Sequence, residues 1–321
     1  MYNTIEELIY NYRFRISYLM PSIEAIFCDW DDTVAIGSGK VLDEFYNDFY
    51  GTDLYREIAS IKKTSGEQYM DFFTIFMNRG KIEYNVIDKC CSEFLLKEKY
   101  QKLLYTSQCT SIIESLNKIL SEYKLHRNSS NIIKNNYTKQ IVLLISQLAI
   151  EYLIPKIPLH NDLENVLKLS GERETKFFIH TMRPQSFIDY EIKRRFEVGQ
   201  LNEFMIKNMF IIGSRQLETK AKPDRLYALC KTSKLNVKNC IVIGDSWLDY
   251  NSASNEMLPF IFVLGKFDEH ILMDFENTNI VENYKTTIPI KNITDFIFLL
   301  KNVENKRKLH HELKEFFQRG K

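Results

Sequence analysis

At 321 residues, 45% of them hydrophobic, the chain can bury a sizeable core, and its length suggests about two domains. Its 43 basic and 42 acidic residues leave a formal charge of +1, which excludes the broad electrostatic footprint of a nucleic-acid or membrane-surface binder. The six cysteines, at 28, 90, 91, 109, 230 and 240, form no CxxC pair and no short disulfide framework, so reduced thiols are expected.

The N-terminal stretch MYNTIEELIYNYRFRISYLM places apolar residues at 5, 8, 9, 12, 16 and 19, a helical stripe and not the unbroken core of a signal peptide. It is expected as a docked helix over 1–22 of a cytoplasmic protein. IEAIFCD (23–29) is the first strand-like run. It is followed by stripes of helical spacing, VLDEFYNDFY, EQYMDFFTIFM, KCCSEFLLKEKY and SIIESLNKILSEYKL, which have no strand partner. IVLLISQLAIEYLI (141–154) is shorter than the roughly 20 residues that span a bilayer and is broken by Gln147 and Glu151, so it predicts a buried helix. These segments predict an all-helical insertion over 36–157, with HRNSSNIIKNNYTKQ (126–140) as its exposed loop.

Four more strand-like runs follow, KFFIHT (176–181), MFIIG (209–213), CIVIGD (240–245) and PFIFVLG (259–265). Each is nearly continuous in apolar character, as in strands buried on both faces of a parallel sheet. PQSFIDYEIKRRF and PDRLYALCKTSKL separate them as helices, each opening with proline. This alternation predicts an α/β fold, a Rossmann-like doubly wound parallel sheet over 23–35 plus 158–303. After Gly265 come polar turns and an apolar pattern at 293–300. A charged tail over 304–321 predicts a solvated surface helix, because Glu312 and Glu315 interleave with its basic residues.

Ligands of open α/β sheets collect beyond the carboxyl ends of the strands. There the sequence places Asp29 and, two residues on, Asp31, which an extended backbone would project the same way. Thr181 ends the second run directly before a helix, Lys222 precedes Pro223 at another helix start, and Asp245 ends the fourth run with Asp249 four residues later. Carboxylates from distant segments are hard oxygen ligands suited to Mg²⁺, which also takes water and substrate phosphate. The hydroxyl and the lysine would hold phosphoryl oxygens, and a carboxylate could then attack phosphorus.

The ordered set DWDDT, FFIHT, KP and IVIGDSWLD resembles the four motifs of the haloacid dehalogenase superfamily, with the helical insertion placed like the cap between motifs one and two of phosphoglycolate phosphatase- and β-phosphoglucomutase-like members. The resemblance implies that Asp29 is nucleophile and metal ligand. Asp31 is then general acid/base, with its backbone carbonyl on the metal. Thr181 and Lys222 contact phosphate, and Asp245 and Asp249 complete the Mg²⁺ site. An acid at position 31 implies phosphate-ester hydrolysis or phosphotransfer on a small phosphorylated metabolite. A phosphomutase, or a weakly catalytic binding module that keeps the fold, is the alternative. No nucleic acid or membrane is expected as partner, and the oligomeric state is open.

Asp32 stands where relatives most often have glycine, and an extra acid there could raise the nucleophile's pKa or alter the turn. Lys220 rivals Lys222. His180 is expected as a packed core residue, Trp30 as a wall of the site or core filler, and Cys90 and Cys91 as small buried hydrophobes. Lys62 and Lys63 are expected in a solvated loop.

Overall fold

The computed structural model describes residues 23–51, 55–56, 84–104, 106–126, 131–214, 222–255, 258, 260–263, 287–290, 293–294 and 296. The expected N-terminal helix over 1–22, the tail over 304–321, the stripe at 67–77, Lys62, Lys63 and Lys220 lie outside them.

Among the described residues six strands form one sheet: β1 (Ala25–Cys28), β2 (Lys176–Pro184), β3 (Met209–Ser214), β4 (Cys240–Gly244), β5 (Phe260–Val263) and β6 (Thr287–Ile290). Every neighbouring pair is parallel, and the order is β3-β2-β1-β4-β5-β6. Side chains alternate between faces, so Ile26, Cys28, Ile241 and Ile243 enter one apolar cluster while Ala25, Phe27, Cys240 and Val242 enter another. Both faces are therefore covered, which is why the strands read as nearly unbroken apolar runs. β6 corrects the expectation of polar turns at 287–290, while 264–286 lie outside the described residues. It is four residues long and contains Pro289, which is tolerated there because β6 sits at the sheet edge.

Between β1 and β2 the described helices are α1 (Ser38–Tyr50), α2 (Tyr84–Leu95), α3 (Glu98–Leu104), α4 (Ser107–Leu125), α5 (Asn131–Leu153) and α6 (Leu163–Glu172). Then come α7 (Gln185–Glu197) after β2, α8 (Glu203–Asn208) before β3, α9 (Lys222–Thr232) after β3 and α10 (Trp247–Asn255) after β4. Helices α6 to α8 pack on one sheet face, through residues such as Val166, Ile188 and Met205, and α9 and α10 on the other, through Leu226 and Ala253.

Helices α1 to α5 build a further core of their own, centred on Phe45, Phe94, Tyr100 and Tyr152. Phe94 and Tyr100 lie 4.2 Å apart by ring centroids, Phe45 and Phe94 5.1 Å. Such pairs contribute about 0.5–1.5 kcal/mol beyond their burial. The loop expected over 126–140 is corrected from residue 131 onward, where α5 already runs. Its polar composition suggested a loop, but Thr138 is buried and Tyr137 packs at 6.0 Å on Tyr123 of α4, so one face of this segment is a packing surface.

The apolar run at 141–154 is a buried helix as expected. Ile145 and Leu148 face the insertion core, and Ile150 and Leu153 face Phe187 of α7. The acid that interrupts this run is buried with partners. Glu151 accepts from Arg194 Nε at 2.6 Å, from Arg194 Nη2 at 3.0 Å and from the Tyr190 hydroxyl at 2.8 Å, which fastens α5 to α7. Among the described residues no helix is long and apolar enough to cross a membrane.

Candidate active site

The strand order reverses direction between β1 and β4, and at such a switch point the flanking connections diverge and leave a crevice at the carboxyl ends of the strands. Cys28 is in register with Ile179 of β2 and Ile243 of β4, so the residues just beyond each strand arrive at one edge. The Asp29 amide donates to the Ile243 carbonyl at 2.8 Å and fixes that edge. One carboxylate oxygen from each of Asp29, Asp245 and Asp249 lies within 4.8 Å of the other two.

Local chemistry sets these acids in place. Ser246 and Asp249 form a reciprocal cap at the start of α10. The Asp249 carboxylate accepts from the Ser246 hydroxyl at 2.5 Å and its amide at 3.3 Å, and the Asp249 amide donates back to Ser246 Oγ at 3.4 Å. Asp249 is 1% exposed and folds over the end of β4, where any Cβ at position 244 would collide with its carboxyl group. Gly244 is thus required for space. Thr33, whose part the sequence left unassigned, directs its hydroxyl at Asp245 Oδ1 from 3.5 Å.

Asp31 does not follow Asp29. β1 stops at Cys28 and the chain turns, with the Val34 and Ala35 amides donating to the Trp30 carbonyl at 3.0 and 2.9 Å. The extended backbone expected to align Asp29 and Asp31 is absent, and the Asp31 carboxylate points into a different group. It accepts from Arg183 Nε at 2.7 Å and from Arg183 Nη2, and from the Ser38 hydroxyl at 2.6 Å. Arg183 reaches on to Glu191 through Nη1. Glu191 accepts from Arg195 Nε at 2.7 Å and Trp30 Nε1 at 3.1 Å. Burial pulls the Arg183 guanidinium down, but the charges of Asp31 and Glu191 outweigh it and hold it above its ordinary range.

Sequence reasoning missed this group. A signal for it existed, because Glu191 and Arg195 share a helix face with Ile188 and Ile192, which are buried. Charged residues at core positions of an amphipathic helix call for partners.

Asp32 takes up a left-handed backbone, φ 54°, which glycine adopts freely and aspartate tolerates. Its carboxylate turns to the start of α1 and accepts from the Gly37 amide at 2.7 Å. Gly39 leaves the room, since a Cβ there would stand 2.5 Å from Asp32 Oδ2. Burial raises the Asp32 pKa, and the Gly37 amide pulls it back. The extra acid is a helix cap.

Thr181 is buried, but β2 runs on to Pro184 with an irregular register after His180, so α7 does not begin directly after Thr181 as expected. Its Oγ1 accepts from the Arg183 amide at 3.2 Å. Lys222 opens α9, and its side chain lies outside the described residues. His180 is buried with its ring edge-on to Phe27 at 6.4 Å, and Trp30 is fully buried, which fits the core reading of both. All six cysteines are buried, Cys90 and Cys91 inside α2, and burial pushes the Cys90 thiol up.

No protein-family profile and no curated protein sequence matches the chain. Its fold does match solved structures. A haloacid dehalogenase-like hydrolase from Streptococcus pneumoniae matches at 17% identity and a TM-score of 0.42, over 87% of this chain and 99% of that one. A family IA, variant 3 hydrolase of the same superfamily from Entamoeba histolytica matches at 15% and 0.44, over 87% and 100%. A subfamily IA, variant 1 hydrolase from Geobacter sulfurreducens matches at 15% and 0.40, over 87% and 96%. At these values the likeness is one of overall chain course alone.

Proposed function

We propose that this protein is a Mg²⁺-dependent phosphatase that hydrolyses a small phosphorylated metabolite through an aspartyl-phosphate on Asp29. The observation that carries the reading is the convergence of Asp29, Asp245 and Asp249 within 4.8 Å at the switch point of the sheet. Three carboxylates so close repel by several kcal/mol at an effective dielectric near 20, and a divalent cation offsets that.

The donor set fits Mg²⁺. It consists of hard carboxylate oxygens gathered from separate stretches of the chain, the ligand type that Mg²⁺ prefers. Asp29, Asp245 and Asp249 would hold the ion, with the Asp31 backbone carbonyl beside them. Bound there, it supplies charge that screens the nucleophile from an anionic phosphate.

An Asp29 carboxylate oxygen attacks phosphorus, the phosphorus–oxygen ester bond breaks, and the departing oxygen takes a proton from Asp31. Water then attacks the aspartyl-phosphate, gives its proton to Asp31 and releases inorganic phosphate. Thr181 and Lys222 hold phosphoryl oxygens. Helices α1 to α5 shield the site and choose the leaving group.

The test is phosphate release from an aryl phosphate and from a panel of phosphometabolites. Release should require Mg²⁺ and should fall at least about 10³-fold in Asp29→Asn, with folding intact by circular dichroism. Wild-type protein that releases nothing across the panel would refute the reading, and label kept on the substrate would make the protein a phosphomutase.

A further inference from the structure

We infer that Arg183 is a positioning residue that holds the Asp31 carboxylate in one orientation and couples that orientation to both ends of the helical insertion. The catalytic half of this inference rests on the phosphatase reading; the coupling does not.

Arg183 meets Asp31 fork to fork, Nε to Oδ2 at 2.7 Å and Nη2 to Oδ1, so the plane of the carboxylate is fixed as well as its position. A lysine would supply the charge without that plane. Arg183 has no slack of its own. Its remaining Nη1 is committed to Glu191, and its guanidinium lies 5.1 Å from the Phe187 ring centroid. Glu191, fully buried, is held by Arg195 and Trp30. Arg195, also fully buried, donates through Nη1 to the Ile157 carbonyl at 2.8 Å and to Gln200, whose amide donates to the Ile154 carbonyl at 3.1 Å.

Asp31, Arg183, Glu191 and Arg195 thus alternate in sign along one unbroken line, and only Asp31, with 28% of its side chain exposed, reaches the surface. The far end of the line grips residues 154 and 157, where the insertion returns to the sheet. The near end touches the insertion again, because Ser38, the first residue of α1, donates to Asp31 Oδ1 at 2.6 Å. A shift of the insertion at either junction must therefore move the Asp31 carboxylate.

The experiment compares wild type with Arg183→Lys and Ser38→Ala in Mg²⁺-dependent hydrolysis of an aryl phosphate, with amide hydrogen exchange at Ile157 and His160 recorded on the same proteins. Arg183→Lys should lower kcat about 10²-fold with KM unchanged within twofold, since an ångström of misplacement is enough for such a loss. Ser38→Ala, the milder change should the lysine variant fold poorly, should lower kcat about tenfold through one lost anchor. In an Asp31→Asn background Arg183→Lys should cause no further loss, because the residue it positions is already disabled. Exchange at Ile157 should accelerate severalfold in Arg183→Lys. Wild-type kcat in Arg183→Lys, or a loss that multiplies with Asp31→Asn, overturns the positioning role. Unchanged exchange at Ile157 overturns the coupling, whether or not the protein hydrolyses phosphate esters.

Discussion

On one side of Trp30, Asp29 joins two other acids within 4.8 Å; on the other, Asp31 begins a line of two acids and two arginines that alternate in sign. Arg183, Glu191 and Arg195 of the line and Asp29 and Asp249 of the trio are buried, so both groups have given up hydration. The line regains it internally, each charge facing its opposite at hydrogen-bonding distance, whereas the trio gathers three acids where the sheet opens. Charge balanced in place serves the fold. Like charge held in place by a helix cap and a glycine stores repulsion that a cation could relieve.

The largest expected break in this contrast is Glu191→Gln. With that carboxylate neutralised, Arg183 and Arg195 keep their charges in a site that no longer balances them, and the loss should be about 3–5 kcal/mol, the range for breaking one partner of a buried ion pair. Urea denaturation measures it. A loss below about 1 kcal/mol would mean that water reaches the arginines and that the line is not a dry network.

Much of the trio was legible in the sequence and almost none of the line. Asp29, Asp245 and Asp249 stand at or just after apolar runs, and strand ends can be read from composition because buried parallel strands are apolar throughout. The fold followed from the same runs, except for β6, where Pro289 and a length of four residues hide an edge strand. The direction of the Asp31 side chain was illegible because it depends on where β1 ends. One residue of turn at Trp30 moves the carboxylate from the trio to Arg183. The partnership of Arg183 with Glu191 depends on an irregularity in β2 after His180, which no periodicity announces.

Asp32 is balanced in a third way, by the amides at the start of α1, and it separates backbone strain from lost charge. Asp32→Ala should lose about 2 kcal/mol, part from a Cβ held at φ 54° without the local hydrogen bond that rewards it and part from the missing cap. Asp32→Gly, which adopts that backbone without strain, should lose no more than about 1 kcal/mol, and Asp32→Asn should stay near wild type. Equal losses in alanine and glycine variants, by the same urea titration, would show that the cap alone matters.

Asp245→Asn is the smallest effect and the sharpest test, because its sign should be opposite to that of Glu191→Gln. Asparagine keeps an oxygen for the Thr33 hydroxyl and removes one of three like charges. Without Mg²⁺ the variant should therefore be more stable than wild type by about 1 kcal/mol, a fraction of the Coulomb repulsion since Asp245 is partly open to solvent. With Mg²⁺ at about 100 times its dissociation constant, wild type should gain about 2.7 kcal/mol and the variant much less, so that the order of melting temperatures crosses. Only a site in which carboxylates repel until a cation arrives produces that crossing. If Asp245→Asn melted below wild type in chelator, the acids would be held together by favourable contacts, and the trio would be structural in the same sense as the line beside it.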